Sequence, residues 1–409
     1  MTPEVGTLPR ELDYIVLLFA LFVLPRLLQR FRLPPAITSV AMGALAGMGF
    51  GLFVGDPTVT LLATLGIVSL FLFAGLDVDF RELRYESRVL VQHIVIGVAA
   101  LVAAAFAVRA TFDLPWRPAI LVALALLTPS TGFILDSLPS LGVSSGERFW
   151  IKSKAVGTEL VALAVLFVTL QSTTAVRLST SVLVLGGMIL LLPVAFRIFA
   201  RLIVPFAPKS EFAFLLMVAV VCAFVTLRLG VYYLVGAFVV GVVAQRFREH
   251  LPAMASDRML HATELFATFF VPFYFFNAGL HLRLEDFDLA ALAVGIGFLV
   301  VAIPVRILLV SGHRQLVLKE PFDKAMRIGV SMLPTLVFTL VIAGILRDVF
   351  ALPRYIFGGL IIYTLANTLI PGFSLRLPAA ELSVWHGGSE TLPEPADKQE
   401  SESVPAGLP

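Results

Sequence analysis

The chain has 409 residues, of which 58% are hydrophobic and 14% charged, with a mean hydropathy of +0.95. A soluble domain carries about 25% charged residues, so composition excludes one and defines an integral membrane protein. The net charge of +2, with Lys and Arg at the ends of apolar runs, excludes the basic patch of a nucleic-acid binder, and the lone Cys222 excludes an intramolecular disulfide.

Apolar runs of bilayer length predict an all-α bundle of about thirteen transmembrane helices, at 12–29, 34–54, 58–77, 88–108, 117–137, 150–172, 178–200, 211–228, 231–247, 262–281, 288–311, 325–346 and 355–374. Residues 1–14 contain no short apolar core with a small-residue cleavage site, so the first run reads as a retained span. An odd number of spans puts the termini on opposite faces. Assigning the loops alternately gives one side twenty Lys and Arg, among them Arg26, Arg81, Arg148, Lys152, Lys154 and Arg314. The other side receives eight, among them Arg109, Arg117 and Arg177. Cytoplasmic loops carry the excess, so the expectation is an outer N-terminus and a cytoplasmic C-terminus in a bacterial-type inner (cell) membrane. Residues 378–409 are rich in Pro, Ser and Glu and predict a disordered cytoplasmic tail. No Gly-rich phosphate loop occurs, so no nucleotide-binding domain is expected.

The third span carries Ala-Gly-Leu at 74–76 and the tenth repeats it at 278–280, an offset of 204 residues. The fifth span's TPST (128–131), moved forward by nearly that amount, reaches LPT (333–335) of the twelfth. These landmarks predict two inverted six-helix repeats, 12–172 and about 211–374, each with a helix broken at proline: Pro129 in one, Pro334 in the other. Proline removes a backbone donor and clashes with the preceding turn, and a bilayer tolerates the freed groups only where protein or water satisfies them.

Glu159 lies about a third of the way into an otherwise apolar run, Ile151 to Thr173. An ionised acid at that depth costs ~2.5–3.5 kcal/mol or more, so it must be neutral, paired or facing water. If the fifth and sixth spans are antiparallel neighbours, the hydroxyls of Ser130 and Thr131 share its level and complete the hard oxygen environment that an alkali cation needs. His93, Asp136 and Glu264 fall in cytoplasmic thirds, where hydration is cheap, and read as structural. The spans contain no paired carboxylates and no His/Glu metal-ligand spacing, so neither an enzyme nor a cofactor is expected.

LGIVSLFLFAGLDVDFRELR (65–84) is similar to a glycine-spaced third span ending in Gly-Leu-acid, and FFVPFYFFNAGLHL (269–282) to a Pro-Phe-Phe-Gly signature. LPPAITSVAMGALAG (33–47) and TPSTGFIL (128–135) add to the match. On these residues the chain, over about 12–375, resembles the monovalent cation:proton antiporter superfamily, in the branch of sodium/proton exchangers and potassium-efflux transporters. The resemblance implies a scaffold of spans 1–3 and 8–10, a core of spans 4–6 and 11–13 with two crossing broken helices, and a homodimer. It places Glu159 at the family's ion-binding aspartate, Thr158 at the Asp or Asn before it, and Arg306 at a charge-compensating basic position. Arg306 lies ~9 Å by helical rise from the end of its predicted span, within snorkelling reach.

Glu replaces Asp here, and Thr158 brings no second acid. The implied activity is exchange of Na⁺ or K⁺ for H⁺ across the lipid bilayer by alternating access, electroneutral because one carboxylate serves both ions. Two alternatives stay open: a transport-silent relative acting as a scaffold or sensor, and a sodium-coupled carrier of organic anions.

Overall fold

The computed structural model describes residues 10–78, 84, 87–137, 144–207, 210–247 and 257–375, and every regular element among them is a helix. The predicted tail and the loop residues Arg81, Lys209, Arg248 and Arg376 lie outside the described residues, as does the side chain of Asp136.

Each predicted span falls on a helix or a broken pair. In chain order these are α1 (Arg10–Gln29), α2 (Pro35–Ala44, continued by a π turn Leu45–Gly49), α3 (Pro57–Leu76), α4 (Ser87–Phe112), α5 (Trp116–Leu127) with α6 (Thr131–Ser137), α7 (Ser145–Gln171) and α8 (Ala175–Leu202). There follow α9 (Glu211–Arg228), α10 (Tyr233–Phe247), α11 (Asp257–Leu280), α12 (Leu289–Leu318), α13 (Phe322–Ser331) with α14 (Leu336–Phe350), and α15 (Arg354–Ser374). Among the described residues, eight helical segments are long and apolar enough to cross a membrane alone, and α13 with α14, bent by 44°, makes a ninth. The remaining predicted spans are α1, α2, α10 and α11.

The sequence fixes where these helices start. Asp56 accepts from the Thr58 and Val59 amides at 2.9 and 3.0 Å ahead of α3, and Asp288 accepts from Ala291 at 2.7 Å ahead of α12. Ser144 and Glu147 form a reciprocal capping box at the start of α7. Each side-chain cap satisfies N–H groups that a helix cannot satisfy itself.

The Ala-Gly-Leu repeat has a packing explanation. A Cβ on Gly75 would lie 2.3 Å from the Phe238 carbonyl oxygen, and one on Gly279 would lie 2.1 Å from that of Val40. Only hydrogen fits, so α3 crosses α10, and α2 crosses α11, backbone against backbone. Elsewhere α4 packs on α5, α12 on α15, and α14 on both α5 and α15. That second group surrounds the two helix breaks.

Candidate functional site

α5 ends at Leu127 and α6 begins at Thr131, with Thr128, Pro129 and Ser130 non-helical between them; α13 ends at Ser331 and α14 begins at Leu336. The two breaks touch, since the Ser130 amide donates to the Pro334 carbonyl at 2.9 Å and the Ser130 hydroxyl accepts from the Phe338 amide at 3.2 Å. On the α5 side, the Ala125 carbonyl accepts from Thr339 Oγ1 and the Leu126 carbonyl from the Tyr363 hydroxyl, both at 2.7 Å. On the α13 side, the Arg306 guanidinium donates to the Met332 carbonyl at 2.7 Å and to that of Leu333. Asn367 completes the set, accepting from the Thr335 amide at 3.3 Å and donating to its hydroxyl at 2.9 Å.

Arg306 therefore does not snorkel. α12 continues to Leu318, beyond the predicted end of the span at 311, and Arg306 is buried at 5% exposure. Its positive charge sits at the negative C-terminal end of α13, where it compensates the helix dipole and caps freed carbonyls. No ion pair within 4.0 Å joins it to Glu159, so the charge it compensates is that of the helix end.

Glu159 stands on α7, buried at 5% exposure, and faces the backbone amide and hydroxyl of Thr131 at the N-terminus of α6. A carboxylate there complements the positive end of the helix. Thr131 Oγ1 is buried without a hydrogen-bond partner, so the two groups face each other without closing a bond of ordinary geometry. A buried hydroxyl oxygen left unmatched beside a carboxylate is a pair of hard donors suited to a small cation.

Of the sequence-derived candidates, the structure brings together Glu159, Thr131, Ser130, Pro129, Pro334 and Arg306, with Ser130 committed to joining the breaks. Thr158 lies on a different face of α7 from Glu159, toward a cavity it shares with Pro129 and Arg306. Neighbouring residues on a helix do not share a face, and its hydroxyl donates to the Lys154 carbonyl at 2.8 Å and lies 3.5 Å from His93 Nε2. A cavity on that side is lined by His93, Thr128, Pro129, Thr158, Arg306 and Met332, among others.

Two loop assignments are corrected. Lys154 and Arg314, counted as interfacial charges, have no exposed surface: Lys154 lies inside its predicted span 150–172, and α12 runs past the predicted end at 311 to bury Arg314. Likewise His93 is buried at 7% exposure, where a hydrated position was expected. Tyr363, Asn367 and Thr339 were missed, and Thr335 enters only as the last residue of the LPT landmark. A run of hydroxyl and amide residues in the last span (Tyr363, Thr364, Asn367, Thr368) was the available signal.

An all-helical membrane bundle whose two broken helices meet beside a buried carboxylate has the architecture of an ion-coupled secondary transporter. The family model described as "Sodium/hydrogen exchanger, transmembrane" matches residues 16–381, and the chain belongs to that family of membrane cation/proton exchangers. A "Probable Na(+)/H(+) antiporter 3" of Methanocaldococcus jannaschii is 24% identical over 290 residues, covering 66% of this chain and 71% of the relative. A solved structure of the sodium proton antiporter MjNhaP1 from the same organism, at pH 8, superposes with a TM-score of 0.67 at 13% identity, covering 89% of this chain and 96% of that one. A second MjNhaP1 structure, from electron microscopy, gives 0.64 at 14% identity, with 90% and 95% covered. At such identities the structural likeness speaks for the fold.

Proposed function

We propose that the protein exchanges one Na⁺ or K⁺ for one proton by alternating access, with Glu159 binding either ion and Thr131 supplying a further oxygen to the cation. The carrying observation is the buried Glu159 carboxylate facing the unpartnered Thr131 hydroxyl at the start of α6. A carboxylate neutralised by a proton or by a cation crosses the barrier equally well, and a bare one does not, so a single acid couples the two fluxes. Arg306 is committed to the Met332 and Leu333 carbonyls, which leaves Glu159 as the ion carrier. One site carrying one charge in each direction gives electroneutral exchange.

The moving core in this reading comprises α4 to α7 and α12 to α15, the scaffold α1 to α3 and α9 to α11, and the two halves form an inverted repeat. The scaffold supports a homodimer, and the Lys- and Arg-rich ends face the cytoplasm. Glu159→Gln should abolish cation-driven proton flux in everted vesicles while the protein still folds, because an amide cannot bind and release a proton. Glu159→Asp should retain part of the flux. Unchanged flux in the Gln variant would remove Glu159 from the mechanism.

A further inference from the structure

Four basic side chains meet where α7, α12 and α4 approach one another, on the side of α7 that carries Thr158. Lys154 and Arg314 are fully buried, His313 is 4% exposed and His93 7%. Arg314 is held by Glu320 through two hydrogen bonds of 2.6 and 2.7 Å, and Glu320 also pairs with Lys324 at 3.2 Å. Lys154 has no carboxylate within 4.0 Å, and its ammonium nitrogen lies 3.3 Å from His313 Nδ1. The His313 ring stands 6.0 Å from that of His93, and both His313 Nε2 and His93 Nδ1 are buried without partners.

We propose that Lys154 and His313 form a second proton-binding site of the exchanger, separate from Glu159 and holding one shared proton in the described state. The contact itself carries the argument. A hydrogen bond between an amine nitrogen and an imidazole nitrogen needs a hydrogen on one atom and a lone pair on the other. The two facing atoms therefore cannot both be fully protonated. One proton makes the bond; a second must enter at Nδ1 and turns attraction into repulsion inside a desolvated site.

The surroundings oppose that second charge. Arg314 lies on the same helix as His313, and His93 approaches from α4. The counter-charges are Glu320, already shared between Arg314 and Lys324, and Glu147 on α7, within Coulombic range of Arg314, Lys324 and Arg327. The pair joins the two helices that carry the site residues, since Lys154 precedes Glu159 by five positions on α7 and His313 follows Arg306 by seven on α12. Loading it with a second proton loosens α7 from α12 and raises the positive potential near the bound cation. Acid then weakens cation binding twice, once by competition at Glu159 and once through this pair.

The proposal rests on the exchanger reading for its consequence, and the test separates the two. Nitrogen NMR of histidine-labelled protein in lipid nanodiscs at about pH 8 should show His313 as a neutral ring with a hydrogen-bonded Nδ1 acceptor, a signature lost in Lys154→Met. An imidazolium His313 at that pH would overturn the proposal, since some other group, such as a bound anion, would then be neutralising the cluster. In transport, one competing proton raises the apparent KM for Na⁺ by at most about tenfold per pH unit. Wild type should exceed that slope in the acid range, and His313→Asn and His313→Gln should return to it. Equal slopes in wild type and both variants would also overturn the site. Loss of all exchange in wild type would sink the exchanger reading alone, leaving the NMR result to decide the pair.

Discussion

The two helix breaks are made by the same residue type and finished differently. At the Pro334 break, the ends of α13 and α14 are closed by fixed side chains: Arg306 on two carbonyls, Asn367 on the Thr335 amide and hydroxyl, and Ser130 on the Phe338 amide. At the Pro129 break, the α5 end is closed by Thr339 and Tyr363, while at the α6 end Thr131 faces the Glu159 carboxylate and its hydroxyl has no partner of ordinary geometry. One break is tied at both helix ends by side chains and serves as a strut. The other retains an unmatched hydroxyl beside a buried carboxylate, and that difference, more than the presence of a break, is what recommends it as the proposed site.

The comparison can be broken most directly at the strut. Arg306→Ala leaves two buried carbonyls without donors, at about 1–3 kcal/mol each, so the variant should lose most of its folded population in thermal unfolding followed by size-exclusion chromatography. Arg306→Lys should recover part of the stability, because an ammonium reaches one carbonyl in place of a planar fork. If Arg306→Ala unfolds at the wild-type temperature yet cannot transport, the guanidinium belongs to the ion pathway and the division between strut and site fails.

Thr131→Val probes the unmatched side of the Pro129 break. The hydroxyl makes no protein hydrogen bond, so its loss should leave stability near wild type while raising the apparent KM for the cation by about tenfold, the equivalent of ~1.4 kcal/mol. Thr339→Val, which removes a donor from the Ala125 carbonyl, should show the reverse pattern: lower stability by about 1–3 kcal/mol and a nearly unchanged KM. Transport assays paired with thermal unfolding check both. A Thr131→Val variant that unfolds early without a change in KM would make that hydroxyl another structural cap.

Charge movement gives a smaller and subtler signal. Arg306 is fixed in the strut and Glu159 is the proposed carrier, so a solid-supported membrane should record no sustained cation-driven current. Moving a net elementary charge is worth ~2.3 kcal/mol per 100 mV, enough to be seen readily if it occurs. A sustained current would mean that the proton on Lys154 and His313 crosses with each cycle.

Much of this was legible in the sequence because it depends on single residues out of place. A glutamate in an apolar run and two prolines inside bilayer-length segments each conflict with a continuous lipid-facing helix, and both conflicts appear at the site. Span boundaries were less legible. Arg314 and Lys154 resemble interfacial charges to any hydropathy reading, yet Arg314 takes its carboxylate from Glu320 across a turn that had not been assigned to the helix end. The closing contacts were out of reach for another reason. Tyr363 caps a carbonyl 237 positions away and Thr339 one 214 away, and no local pattern records such pairings.

The glycine crossings set a mechanical limit. Where backbone lies against backbone at Gly75 and Gly279, sliding one helix along the other drives a carbonyl oxygen into a Cα, so these joints transmit force without yielding. They behave as welds, tying α3 to α10 and α2 to α11 into one stiff plate. Any motion of the Glu159 level relative to that plate would then be taken up where the chain leaves it, between α11 and α12. Lengthening or stiffening that connection should change the speed of the proposed exchange without touching Glu159.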